Sequence, residues 1–540
     1  MESVRSGSHN FIHVFLGRGH NGAQKIVLCA PFQTDFDEVE CILSLSGVAL
    51  PPMKAKVQDP QVRNFVFEFH GLIPGGKYTY RFTKKGETLN LGAGLVESDL
   101  RFTYWSTLDA GAETVLMSCN GVYIFKDQNK KWDMWRRLET TVANSKNPPK
   151  LLILGGDQYY QDDTEKEFYE KLKGDVTPEL RNEVKMAAIR RAWEQTSDPS
   201  YRRLMAQIPS IAMCDDHDFT DGAGGRFCDI HGNFEPAWLI YRDILVEVFE
   251  AFQASRNPEP LIKKTKSAYS FSLDLGDSAL VALDMRTEKN SRKSLLMEDD
   301  HKNEVLKAIR SLKHKNIMLL LPVVPLRNSR EIESLLLLMS MIFESKDVEN
   351  FLKGISPKIK EGADYVAGLK DDLEDALTSP PSLPFFTELL DAISEQALNG
   401  VQFTILSGDI HTGGSVEMKV TKNGKTFAVP ILVSSPIGYN PMPKLVEGAL
   451  KESSSILINS GNLQIAAVAN QFYPKRNFVF LKPGLLNTTE KSRAARIFVE
   501  GVSGYRYMPI DLWNELEPEF NSVSVVPIAK FEPTPQIDLA

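Results

Sequence analysis

Leu151-Leu152-Ile153-Leu154-Gly155-Gly156-Asp157-Gln158-Tyr159-Tyr160-Gln161-Asp162 sets four apolar residues before two glycines and a burst of carboxylates and phenols. A short apolar run that stops at Gly, Asp or Asn reads as a buried strand entering a loop. Four other stretches have the same build: TVLMSCNG (114–121), SIAMCDDHDFTDG (210–222), ALVALDMRTE (279–288) and TILSGDIHTGG (404–414). Open α/β sheets bind ligands at the carboxyl ends of their strands, so the five bursts are predicted to converge. Together they bring Cys119, Asp157, Tyr160, Asp162, Asp215, Asp216, His217, Asp221, Asp284, Asp409 and His411 to one edge. So many oxygen, nitrogen and sulfur donors at strand ends point to a metal centre.

Each burst has its own chemistry. A carboxylate at a strand end, such as Asp157, can bridge two metal ions, and two ions about 3.5–4 Å apart can clamp the attacking and leaving oxygens of a phosphoryl displacement. Tyr160, three residues on, offers a hard phenolate suited to ferric iron. Alone, this stretch reads equally well as a polar turn with a packed tyrosine. Asp215-Asp216-His217-Asp218 places three carboxylates around one histidine, which biases the strand exit toward cation binding. Its structural alternative is an aspartate capping a turn and a histidine satisfied by a carbonyl. In Gly408-Asp409-Ile410-His411 the i, i+2 spacing puts Asp409 and His411 on one side of an extended backbone. Cys119 is by itself a small buried residue, but its place among the other donors makes it a thiolate ligand. Cys214 reads as core. Arg286 could pin a phosphate with its planar fork or pair with Asp284. Asp229 and His231 lie in a loop that could approach a substrate.

Composition bounds the function. A 540-residue chain has room for more than one domain, and its 42% hydrophobic and 24% charged residues are ordinary for a globular protein. A net charge of −8 argues against a nucleic-acid partner, which calls for a basic patch. The apolar stretches at 317–326 and 335–343 are too short to span a membrane. Five cysteines are not a disulfide framework, and Cys29 and Cys41 read as small buried hydrophobes. The first residues lack the basic region and apolar core of a secretory signal. The expectation is a reduced, cytoplasmic protein, with secretion by a signal-independent route left open.

Along the chain, residues 1–110 carry short alternating or aromatic runs separated by Gly, Pro, Asn and Asp, the texture of a β-sandwich. LIPGGKYTYRF (72–82) is similar to the Pro-Gly turn and Tyr-rich strand of fibronectin-type-III modules. From Thr114 strands alternate with helical stretches at 163–205, 236–255, 301–313 and 384–398, which implies layered α/β architecture. Residues 328–384 read as a helical insertion or cap, 418–438 as a hairpin about Asn423-Gly424 followed by one more strand, and 513–540 as a loosely held tail.

The ordered set SC, GDxxYxD, DDHD, DxR and GDxH resembles the PhoD-like branch of the calcineurin-like metallophosphoesterases over roughly residues 8–510. That resemblance implies a four-layer αββα catalytic domain, here 111–512, behind an N-terminal fibronectin-III-like sandwich. It implies hydrolysis of phosphomonoesters and phosphodiesters by a metal-bound oxide or hydroxide, with Fe3+ and Ca2+ as cofactors and Mn2+ or Zn2+ as alternatives. Carried over by motif position, Cys119, Asp157, Tyr160 and His411 are the expected iron ligands, and Asp157, Asp221 and Asp409 the expected calcium ligands. His217, Asp216 and Arg286 are the expected catalytic residues. Three features depart from the pattern: Cys214 stands where the family has Trp, Asp221-Gly222 stands where it has Asn-Asn, and the GNH and GHxH motifs of the wider superfamily are missing. Two alternatives accompany this reading: a binuclear protein or nucleotide phosphatase using Fe/Zn or Mn, and a catalytically silent partner-binding protein on the same fold.

Overall fold

A computed structural model describes residues 11–510 apart from 34–35, 93, 230, 263–267, 324–375, 380, 442–454 and 461–462. The expected tail, 513–540, and nearly all of the expected insertion, 328–384, lie outside the described residues.

The five apolar runs form strands, and they are shared between two sheets. Thr114–Met117, Leu151–Gly155 and Ser210–Met213 pair in parallel, and the antiparallel strands Asn477–Leu481, Ala495–Val499 and Arg506–Tyr507 extend that sheet. In the second sheet Ser278–Ala282, Asn316–Leu321 and Gln402–Ser407 are parallel neighbours. Gln402–Ser407 then pairs with Lys425–Val433, half of a hairpin whose partner is Gly413–Lys422. Its turn is Asn423-Gly424, both at positive φ, as a tight two-residue hairpin requires. The additional strand expected after this hairpin is instead the far end of Lys425–Val433 itself.

Strand residues of the second sheet alternate between two cores. Met318, Leu320, Leu280, Leu406 and Leu432 face the first sheet, with Leu116 and Leu154 in the same core. Ile317, Leu319, Leu321, Val281 and Ile405 face a separate core with the helices Asp299–Ser311 and Leu383–Leu398. The helices Asp133–Ala143, Pro178–Glu194, Pro199–Gln207 and Pro236–Phe252 belong to the first core, on the first sheet's side. This is an αββα stack, and both faces of its central strands are apolar because both are covered. Three of these helices begin with proline, which lacks an N–H at a position where none is needed. Thr177 and Asp198 cap two of them, accepting from the N–H of Leu180 and Ser200.

The N-terminal region is a β-sandwich. A sheet of His13–Arg18, Gln24–Cys29 and Asn64–Phe69 packs on one built around Glu38–Leu45 and Lys77–Lys84, with Leu16, Ile26, Phe67, Cys41, Tyr80 and Phe82 between them. The outer face of the first sheet is covered too. Phe15, Val27 and Cys29 join the first core of the αββα stack, His13 sits edge-on to Trp193 and 3.1 Å from Thr196 Oγ1, and Lys25 Nζ donates to Asn257 O. The sandwich is thus bonded to the helical layer. Cys29 and Cys41 are buried, unpaired and in different cores. No helix among the described residues is long and apolar enough to cross a membrane.

Candidate metal centre

The loops after the motif strands meet at one edge of the stack, and their backbones are forced into unusual shapes. Cys119, Asp157, Asp409 and His411 all have positive φ, between 51° and 66°. Such residues cost of order 1–3 kcal/mol each and persist only where surrounding structure demands them. The adjacent glycines explain how the loops come so close. Gly156 has φ of 95°, and a Cβ there would lie 2.6 Å from Asp215 Cβ; one on Gly408 would lie 2.5 Å from Ser118 Oγ.

Among the described residues three groups of donor atoms result, each within 4.8 Å: Cys119, Asp157 and His411; Asp157, Asp216 and His217; and Asp157, Asp215, Asp216 and Asp409. Asp157 belongs to all three. Around its carboxylate the Cys119 thiol lies 3.3 Å and the Tyr160 hydroxyl 3.4 Å from Oδ2, and Tyr160 is 3.5 Å from His411 Nε2. The site therefore has two poles. One offers sulfur, phenol, imidazole and carboxylate; the other offers oxygen alone.

The charges at the oxygen pole call for a cation. Asp157, Asp215 and Asp216 are 0–3% exposed, and Asp157 Oδ1, Asp215 Oδ2 and Asp216 Oδ1 have no hydrogen-bond partner among the described residues. Buried carboxylate oxygens without partners are costly, so this arrangement fits metal ligation. Burial, together with Asp215, pushes Asp157 well above the usual carboxylate range. Burial also raises Asp215 to about 7, against the pull of Arg286. Burial would raise Asp216 too, but the charges of Arg286 and His217 outweigh it and hold Asp216 at about 2. Burial pushes the Cys119 thiol and the Tyr160 phenol well up and lowers His411 to about 3. The sulfur pole's donors are thus neutral until something displaces their protons.

His217 borders both poles, grouped with Asp157 and Asp216 and stacked on Tyr160. Its Nδ1 is 2.9 and 3.0 Å from the two oxygens of Asp162, whose Oδ1 also accepts the Asp221 N–H at 2.9 Å. Burial alone would lower the imidazole's pKa, but Asp162 and Asp216 more than offset it and hold it protonated. His217, Asp221, His411, Tyr123 and Tyr439 are half-buried, with Tyr439 stacked 4.9 Å from Tyr160.

Not every candidate joins the donor groups. Asp221 meets the centre through its backbone N–H and belongs to none of the three; Asp215 and Asp216 complete the oxygen pole. Asp218, read from its neighbours as part of a cation-binding run, instead accepts N–H bonds from Asp157, Gln158, Tyr159 and Asp215 and from the Gln253 side chain. Asp284 organises its own loop through Arg286 N, Thr287 N and Tyr269 N. Arg286 is fully buried and donates from Nε to Asp215. Cys214 is core. Asp229 holds an exposed turn through the His231 and Asn233 N–H groups, outside the donor groups. Sequence reasoning did not single out Ser435, whose hydroxyl donates to Cys119 Sγ at 3.0 Å, Tyr439, or the pairing of Asp162 with His217. Tyr439 and Ser435 lie in SSPIGY, which carries no donor pattern of its own.

No protein-family model matches the chain, nor does any curated protein sequence. Solved structures do. A structure of PhoD aligns over 92% of this chain and 92% of its own, with a TM-score of 0.55 at 12% identity. The chain has the PhoD-like metallophosphatase fold. A purple acid phosphatase isolated from yellow lupin (Lupinus luteus) seeds aligns over 96% of this chain and 78% of its own, with a TM-score of 0.52 at 10% identity.

Proposed function

We propose that the chain is a metal-dependent phosphoesterase, cleaving phosphomonoesters or phosphodiesters. The observation that carries this reading is the position of Asp157: a buried carboxylate common to all three donor groups, with one oxygen unpartnered among the described residues. The division into a sandwich, 1–110, and a catalytic domain, 111–512, is part of the same reading. So are the neighbouring phosphatase folds.

The sulfur pole, Cys119, Asp157, Tyr160 and His411, suits a trivalent iron, since it combines anionic hard oxygens with thiolate and imidazole. The oxygen pole, Asp157, Asp215, Asp216 and Asp409, suits calcium, or manganese as a substitute. Bound there, the ions would supply Lewis-acid charge and lower the pKa of water to near neutrality. The chain's own residues do the rest. Asp157 holds the two poles in register. Asp162 fixes the His217 ring by Nδ1 and keeps it protonated, so the imidazolium can hand a proton to the departing oxygen.

The test is hydrolysis of a panel of mono- and diesters by one preparation, before and after chelation and after metal return. Turnover that disappears with the metal and returns with it supports the reading. A protein that carries metal yet hydrolyses none of the panel, or hydrolyses it unchanged after chelation, sinks it.

A further inference from the structure

The oxygen pole already contains a cation. Arg286 Nε donates to Asp215, and its Nη2 lies 3.8 Å from Asp216 Oδ1 and 3.9 Å from Asp409 Oδ2. All three carboxylates are donors of that one pole. The guanidinium is fully buried, so solvent ions screen it little. The sulfur pole is met by neutral groups instead: the Ser118 and Ser435 hydroxyls on Cys119, and the Tyr439 ring on Tyr160 and His411. His217, the cation stacked on Tyr160, is matched by Asp162.

The arginine is also held where it is. The N–H groups of Arg286 and Thr287 donate to Asp284 Oδ1 at 3.1 and 3.0 Å, and the Thr287 hydroxyl donates to Oδ2. The Asp284 N–H donates to Ser270 Oγ at 2.8 Å, and Ser270 Oγ is 2.7 Å from His301 Nε2. His301 Nδ1 is 2.9 Å from Glu288 Oε2, which also accepts the Glu298 N–H at 3.0 Å. Asp284, Ser270 and His301 are buried. This relay fixes the loop that carries Arg286 at both ends.

We propose that Arg286 is a resident cation that makes the two poles unequal. The ion held by Asp157, Asp215, Asp216 and Asp409 is the weak, exchangeable one, and the ion held by Cys119, Asp157, Tyr160 and His411 is the tight one. A fixed positive charge within about 4 Å of three of the pole's carboxylates opposes a divalent ion brought to them, and under an effective dielectric of about 20 that repulsion lowers its affinity by at least about tenfold. The inference rests on the metal-centre reading above and assigns Arg286 to metal selectivity and exchange.

The test is Ca2+ titration calorimetry on the full-length protein after exhaustive chelation, beside elemental analysis along a graded chelator series. In the wild type one ion per chain leaves at a chelator concentration at least tenfold below that which removes the other. Arg286→Met binds Ca2+ at least tenfold more tightly than wild type, whereas Arg286→Lys, which keeps the charge, stays within about threefold. If Arg286→Met does not fold, the double variant Asp215→Asn/Arg286→Met, compared with Asp215→Asn alone, removes the pair together and should show the same tightening. Unchanged or weaker Ca2+ binding on loss of the arginine, or two ions that leave together, overturns the proposal and leaves the phosphoesterase reading standing. Wild-type protein that takes up no ion overturns the phosphoesterase reading itself.

Discussion

Asp218→Ala removes the acceptor that ties two of the ligand loops together. The carboxylate takes N–H bonds from Asp157 at 3.0 Å, Gln158 at 3.1 Å, Tyr159 at 2.9 Å and Asp215 at 3.0 Å, and from Gln253 Nε2 at 2.8 Å. The residue is 3% exposed. Each buried donor left without an acceptor costs about 1–3 kcal/mol, and the vacated space admits a water that recovers part of the loss. The expected net destabilisation is about 4–6 kcal/mol, large against the total stability of a domain. Asp218→Asn keeps one acceptor oxygen but turns an NH2 toward the same donors, so it should recover less than half. Urea unfolding of chelated protein isolates this effect from any change in metal binding. A loss below about 1 kcal/mol, with metal content reduced instead, would show that Asp218 is a ligand and that the capping argument is wrong.

Cys119→Ser should strip or weaken the ion at the sulfur pole with little change in the melting of chelated protein; full metal content in that variant returns Cys119 to the core. Tyrosinate on ferric iron absorbs visible light, so concentrated protein should be coloured and Tyr160→Phe should lose the band, whereas a colourless, active, zinc- or manganese-loaded protein would exclude the iron assignment. Because burial holds the Cys119 thiol and the Tyr160 phenol up, both must lose protons to ligate. Affinity at that pole should therefore rise with pH, by about ten- to a hundredfold per unit, and metal uptake should release protons measurable in weakly buffered solution. His13, whose pKa burial lowers well below its usual value of 6.5, is charged more readily in the unfolded chain. Its contribution to stability is full above about pH 6.5 and falls by about 1.4 kcal/mol per unit as pH drops below it, toward the folded value. Denaturant unfolding at pH 7.5 and 5.0 should show His13→Phe losing less stability on acidification than wild type.

The strands of the motif were legible because their chemistry is local. A run such as Leu151–Leu154 has only one use, burial on both faces, and the glycines and carboxylates that follow can only be a loop. The helix at 178–194 was legible in its Glu, Lys, Arg and Ala content, and those at 236–252 and 383–398 in their apolar periodicity. Asn316–Leu321 was harder: it is a central strand, but it ends at Pro322 without donors, so nothing in the residues ties it to the site. The two-sheet division was not visible in the apolar runs either, since parallel strands look alike whichever sheet they enter. Within the site, residue types located the centre but not each residue's partner. Asp215, Asp216 and Asp218 are neighbours in sequence, yet two offer donors at the oxygen pole and one caps the loop at Asp157, because the turn Asp216–Asp218 points them in different directions. Arg286 had two readings of equal weight, and its burial against Asp215 follows from contacts between loops some 70 residues apart.

The central claim is that one carboxylate, Asp157, serves both poles. Elemental analysis of wild-type protein and Asp157→Asn, purified in parallel and loaded under the same conditions, tests it most directly. The account predicts two ions per chain in the wild type and loss of both in the variant, with unchanged circular dichroism. Wild-type protein without bound metal, or an Asp157→Asn protein that keeps both ions, would contradict it.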